Sequence, residues 1–244
     1  MTDFAAVLHK LWPNGDARIS GLRAAIAASA PDVFARHGIT TPLLVAHVMA
    51  QISHECGAGR DVVENLNYTV ARMRRVWPKR FPTSESAQPF AGNPRALANK
   101  VYNGRTGNRV GSDDGWTFRG RGAAQTTGRD GYARLAQAIG LDLVAQPDLV
   151  LSPAHFLACG VTDFIACSCL PFALRDDIVG VTRRLNGGAV GLAERRVWLA
   201  NWKAALGDAP IVIASPPLAP QMSPPPHPSA LATCLAALRA LFRR

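Results

Sequence analysis

Two acidic side chains, Glu55 and Glu64, stand nine positions apart across a glycine-broken stretch, His54-Glu55-Cys56-Gly57-Ala58-Gly59-Arg60-Asp61-Val62-Val63-Glu64. Two carboxyls facing a gap are the minimum apparatus for glycoside hydrolysis: one protonates the leaving oxygen, the other activates water or attacks the sugar. On an unbroken helix, nine steps of about 100° would total about 900° and put the pair on opposite faces. Gly57 and Gly59 tolerate the positive φ that ends a helix, so the chain can turn after Glu55 and bring Glu64 back. A pair so spaced is also an ordinary surface feature, and the segments around it decide its meaning.

The element that must position Glu55 is a helix over residues 42–55. Thr41 can cap it, Pro42 suits its first turn, and Leu43, Leu44, Val45, Val48, Met49 and Ile52 supply buried residues. Glu55 then emerges where the core meets a cleft, and desolvation there favours its protonated form. Glu64, among Arg60, Asn65 and Asn67, has the more polar setting expected of an ionised base.

Four segments supply the wider pattern: Ala50-Gln51-Ile52-Ser53-His54-Glu55; Glu64-Asn65-Leu66-Asn67-Tyr68-Thr69; the run from Asp114 to Arg129 with Gly120-Arg121-Gly122-Ala123-Ala124-Gln125-Thr126-Thr127; and Val181-Thr182-Arg183-Arg184-Leu185-Asn186-Gly187-Gly188. In these segments, and over roughly residues 40 to 206, the chain resembles the family 19 glycoside hydrolases. The likeness is greatest to their bacteriophage-type endolysin branch, where the acid-to-base spacing is short. The resemblance implies a mainly α, bilobal, lysozyme-like fold with at most a small sheet. It implies an inverting mechanism with Glu55 as general acid, Glu64 as general base and Thr127 holding the attacking water. Tyr68, Gln125, Tyr132, Asn186 and Arg195 are implied on the substrate side, Arg195 beside the catalytic carboxylates. Many relatives carry asparagine where this chain has Gly131, so a substrate contact is expected to be missing there. Arg119, Arg121 and Arg129 read equally well as a solvated basic face and as substrate contacts.

No metal or other cofactor is expected. His54 and Cys56 flank the acid, but a helical zinc motif would need a second histidine that the sequence does not place there. Five cysteines, Cys56, Cys159, Cys167, Cys169 and Cys234, make an odd count without a disulfide spacing, so reduced thiols are expected, Cys159 and Cys167 within helical core.

Helical periodicity marks about residues 3–11, 19–29, 42–55, 94–102, 130–139, 153–166, 174–185 and 192–205. A catalytic unit over 1–207 would include a smaller lobe at about 69–117 that closes over the cleft. A proline-rich linker at 208–228 leads to a basic amphipathic helical tail at 229–244, whose Leu231, Leu235, Leu238 and Phe242 share one face. The tail can meet an anionic membrane surface or dock on the catalytic unit.

The net charge is +10, from 27 basic and 17 acidic residues; without the tail's three arginines it is 24 − 17 = +7. Such charge favours anionic partners. With only 7% aromatic residues and no nucleic-acid motif, stacking platforms for bases are scarce, and nucleic acid is not the expected partner. Peptidoglycan glycan strands are. The expected activity is hydrolysis of their β-1,4 bonds by a monomeric muramidase. Chitinase is the alternative, and a non-hydrolytic wall- or membrane-binding antibacterial protein is the alternative of another class. The N-terminus has no signal-peptide pattern, so synthesis in the cytoplasm and holin-dependent release to the periplasmic wall are expected. A secreted antibacterial effector would share the same chemistry.

Overall fold

The computed structural model describes residues 3–207. In chain order the helices are α1 (Phe4–Leu11), α2 (Leu22–Arg36), α3 (Pro42–Glu55), α4 (Val70–Val76), α5 (Ser84–Ala87), α6 (Pro94–Tyr102), α7 (Asp114–Thr117), α8 (Arg129–Ile139), α9 (Pro153–Ala166), α10 (Leu170–Ala173), α11 (Ile178–Asn186) and α12 (Leu192–Leu206). Short 3-10 turns cover Gln88–Phe90 and Pro147–Leu151. The fold is mainly α. Among the described residues there is no sheet, only two isolated antiparallel bridges, Val63 with Arg121 and Arg121 with Thr126. No helix there is long and apolar enough to cross a membrane. The proline-rich stretch 208–228, the tail 229–244 and Cys234 lie outside the described residues.

The helix carrying Glu55 begins and ends where its sequence demands. The Thr41 hydroxyl accepts from the Leu44 amide at 3.3 Å and Pro42 opens the first turn. All of Leu44–Ser53 is buried, so α3 has no solvent face until its last turn. It runs through the largest core, with α12 packed along it, while α2 lies along α9. Ser53, two residues before Glu55, is held from two sides: its buried hydroxyl accepts the indole N–H of Trp12 at 2.8 Å and of Trp202 at 2.9 Å. That one oxygen ties α12 and the end of α1 to α3.

Leu66, Tyr68, Met73, Trp77, Phe81, Ala87, Leu97, Ala98, Val101 and Tyr102 form a second, separate cluster. A third gathers Phe118, Tyr132, Leu135, Leu143, Val150 and Cys159.

Two helices differ from the periodicity. The second runs on through Pro31 to Arg36, because burial of Val33 and Phe34 offsets the hydrogen bond that proline cannot donate. The segment expected from residue 174 starts only at Ile178. Leu174 is exposed, Asp176 adopts φ 57°, and the Asp177 carboxylate caps the Gly180 amide at 2.8 Å. The Asp176 carboxylate shares hydrogen bonds with His47 Nε2 at 2.8 Å and Lys203 Nζ at 2.6 Å, which fixes the irregular turn. Cys159 is buried as expected, but Cys167 is only partly so; Cys169 takes the interior position instead.

Replacing Ser53 with alanine strands two buried indole donors, at roughly 1–3 kcal/mol each. Urea unfolding of Ser53→Ala is expected to show a loss of about 2–4 kcal/mol; a loss below roughly 0.5 kcal/mol would mean the indoles find another acceptor.

Candidate active site

The chain reverses immediately after Glu55. Gly57, Ala58 and Gly59 adopt φ of 57°, 54° and 86°, a left-handed run that no helix continues. The Ala58 amide reaches back to the Ser53 carbonyl and the Asp61 amide to the Cys56 carbonyl, both at 2.8 Å. Glycine is required at 59 on two grounds, since a Cβ there would also stand 2.5 Å from the Gly15 carbonyl oxygen. The returning segment then pairs with residues 120–122: the Gly122 amide donates to the Val62 carbonyl at 2.8 Å and the Glu64 amide to the Gly120 carbonyl at 2.9 Å.

This pairing delivers Glu64 to a prepared position. Its Oε1 accepts the Gly120 amide and its Oε2 accepts the Tyr102 hydroxyl at 2.7 Å. A Cβ added to Gly120 would lie 3.2 Å from Gln125 Oε1, 3.2 Å from Thr127 Oγ1 and 3.4 Å from the Glu64 carboxyl carbon. Two oxygens and the Glu64 carboxyl group therefore converge beside Gly120. Gln125, at φ 51°, donates its Nε2 to the Asp61 carbonyl at 2.8 Å, which turns Oε1 toward that point. The Thr127 hydroxyl donates to the Gln125 carbonyl at 2.9 Å, so its lone pairs remain to accept.

The electrostatics differ from the sequence expectation. Burial pushes the Glu64 carboxyl up to about 7, against the pull of the Tyr102 hydroxyl, the Gly120 amide and the charges of Arg119 and Arg121. Asn65 and Asn67 are exposed and the Arg60 side chain bonds the Gly57 carbonyl, so the polar neighbours in sequence do not solvate Glu64. Burial and the Glu64 charge push the Tyr102 phenol well above its usual value, so it stays a donor.

Glu55 is buried and paired with Arg195, whose Nη2 meets its Oε1 while Nη1 meets Gln51 Oε1. Arg195 does lie beside one of the two carboxylates, Glu55, and not beside Glu64. Ala123 and Ala124 border the same small hollow as Glu55, Gln51 and Leu185. The loop 120–127 thus carries Glu64 at one end and lies against Glu55 further along.

Other expected positions serve structure. Tyr68 is buried in the second cluster, stacked on Trp77 with ring centroids 5.3 Å apart and covered by the Arg72 guanidinium. Tyr132 is fully buried against Phe118; its hydroxyl donates to the Arg119 carbonyl and accepts from Arg121 Nε, each at 3.0 Å. Neither presents a ring to a sugar. Asn186 uses its amide on its own turn, donating to the Val190 carbonyl and accepting the Gly188 amide. Arg121 is neither solvated nor substrate-facing: it is buried and bonds Asp148 and the Thr117 carbonyl. Arg119 lies flat on Trp116 at 3.8 Å, and Arg129 rests over Phe118 with Asp114 at 3.8 Å. A side chain at Gly131 would meet only Thr126 at 3.6 Å, so packing does not dictate that glycine. His54 packs against Gly191, as its place beside the acid suggests.

The sequence did not point to Tyr102 as the partner of Glu64. Its signal was weak: it ends an amphipathic helix, where an aromatic reads as core, and its partner lies 38 positions away.

No protein-family model matches the chain. A "Glycosyl hydrolase family 19 domain-containing protein" of Haemophilus influenzae is 33% identical over 188 residues, 77% of this chain and 88% of that protein. Among solved structures, chitinase C from Streptomyces griseus HUT6037 superposes with a TM-score of 0.54 at 18% identity, over 87% of this chain and 98% of the other. A glutamate-to-glutamine mutant of chitinase C gives 0.53 at 18% identity, over 85% and 78% of the two chains. At that identity the solved structures speak for a shared architecture alone. The Haemophilus protein goes further, because a third of the aligned residues are identical along most of both chains: this chain belongs to glycosyl hydrolase family 19 and is a glycoside hydrolase.

Proposed function

We propose that this glycosidase is an endolysin-type muramidase that hydrolyses β-1,4 bonds of the bacterial peptidoglycan strand with inversion, Glu64 acting as base and Glu55 as acid. The observation that carries the chemistry is the convergence of the Glu64 carboxyl group with the Thr127 and Gln125 oxygens beside Gly120. A water held there gives its hydrogens to Glu64 and to one neighbouring acceptor, which leaves a lone pair for the anomeric carbon. As the new C–O bond forms, Glu64 takes the water's proton, the glycosidic C–O bond breaks and Glu55 protonates the leaving oxygen. A base whose pKa is about 7 is well matched to neutral pH. The bound strand requires a proton on Glu55.

The substrate assignment is supported by the net charge of +10 and by the nine-residue acid-to-base spacing. Envelope polymers are anionic and chitin is neutral. Release from the cytoplasm to the periplasmic wall through a holin pore belongs to the same reading, as does action by a single chain.

Glu55→Gln and Glu64→Gln are each expected to lower hydrolysis by about 10²–10⁴-fold, with strand binding retained. Glu55→Gln should keep most of its activity on a glycoside with a good leaving group, and Glu64→Ala should recover with azide. The opposite rescue pattern would reverse the roles. Tyr102→Phe removes one donor from ionised Glu64, worth about 1.5–3 kcal/mol, and so raises the pKa of the base. The acid limb of kcat/KM should move up by about one pH unit or more, and an unmoved limb would remove Tyr102 from the mechanism. Purified peptidoglycan and colloidal chitin digested side by side, with the new reducing ends identified by mass spectrometry, should show muramic acid ends from the wall. Cleavage of chitin alone would make the enzyme a chitinase, and wall glycan left uncut by the wild type and the Glu55→Gln variant alike, with killing intact in both, would make it a binding protein.

A further inference from the structure

A trough of about 630 Å³ opens between the loop after α1 and the turn after α3, lined by Asn14, Ala17, Arg18, Arg60 and Asp61. We propose that it is a binding site for the anionic stem peptide of the peptidoglycan strand, an inference that rests on the substrate reading above. Beside its lining residues, Gly59 meets the Gly15 backbone so closely that no methyl group would fit, which fixes the two segments that border the trough. It shares a wall with the reaction site: the Asp61 carbonyl that accepts Gln125 Nε2 belongs to a trough residue, and Gln125 Oε1 points at Gly120 beside Glu64. A ligand group in the trough would lie against the same Asp61 backbone that orients Gln125 toward Gly120.

The charges select the ligand. The Arg18 guanidinium is exposed and has no partner among the described residues. Arg60 spends only Nε, on the Gly57 carbonyl at 3.0 Å, and keeps its two terminal nitrogens. Asp61 is the one acid in the lining, and its carboxylate folds against the Gly57 turn, 2.1 Å from where a Cβ on Gly57 would stand. Two guanidiniums, the Asn14 amide and one carboxylate fit a short peptide that carries more carboxylates than amines. Peptidoglycan bears such a peptide on every muramic acid, whereas chitin bears no charged group. The trough is thus the feature by which this molecule distinguishes the two polymers, which share their linkage and N-acetyl groups.

The test is the selectivity ratio, kcat/KM on strands with intact stem peptides over kcat/KM on the same strands stripped by an amidase. For the unmutated chain the ratio is expected to exceed one and to shrink with added salt, since exposed pairs are screened. Arg18→Gln with Arg60→Gln should lower it about tenfold. Arg18→Gln alone, which breaks no bond within the protein, should lower it about threefold and guards against a double variant that folds badly. A ratio unchanged in both variants, or a ratio of one in the unmutated chain, overturns the proposal. An unmutated enzyme that cuts only chitin overturns the substrate reading, and this site with it.

Discussion

Everything at the site depends on a reversal of direction made within three residues. Gly57, Ala58 and Gly59 are all left-handed, and the alanine among them bears a conformational cost of about 1 kcal/mol. That cost is sustained because the turn is closed from outside: Gly59 lies on the Gly15 backbone, and the Asp61 main chain receives Gln125. A helix continued through this point would carry Glu64 to the far side of α3. Ending it instead returns the chain against Gly120–Gly122, and both carboxyls then adjoin one eight-residue loop. The placing of the two carboxyls is a property of backbone approach, which explains why Gly57 and Gly59 stand at the turn between them.

The two carboxyls have partners that differ in kind. Glu55 meets the Arg195 guanidinium at close range in a buried setting. Glu64 meets only the neutral donors Tyr102 and Gly120, which stabilise its ion without cancelling its charge. The nearest arginines are committed elsewhere, Arg121 to Asp148 and Arg119 to the face of Trp116. Desolvation therefore prevails at Glu64 and its titration falls near neutrality. Contacts in space decided this, and the residues adjacent in sequence, Arg60, Asn65 and Asn67, had no part in it.

The contrast locates what could be read in advance. The helices over 42–55, 94–102 and 153–166 were legible to the residue because each opens on proline and has a buried stripe. Helices of four to seven residues, Val70–Val76, Ser84–Ala87, Asp114–Thr117 and Leu170–Ala173, are too short to establish a period and were not. At the site, residue type and spacing marked Glu55, Glu64, Gln125 and Thr127. Pairing between elements was hidden: Arg195 could be identified, but which carboxylate it meets depends on how α12 lies along α3. Tyr68 and Tyr132 show the converse error, in which an aromatic within a catalytic segment reads as facing the sugar although its ring is core and only its hydroxyl meets polar partners.

The last turn of α3 explains why that ambiguity matters so little to Glu55 itself. Gln51 and Glu55 are one helical turn apart and share a face, so the two ends of the Arg195 fork reach both at once. Ser53 projects elsewhere and takes the two indole donors. The final turn is thus gripped by a guanidinium on one face and by Trp12 and Trp202 on another, before the left-handed run begins. Side-chain freedom at Glu55 is small, and Glu64 is held by the Gly120 amide and the Tyr102 hydroxyl. The separation of the two carboxyls is consequently set by the backbone of residues 56–61 and the pairing that follows it. A family member with a longer acid-to-base segment must rebuild that backbone, together with the trough wall that Arg60 and Asp61 contribute here.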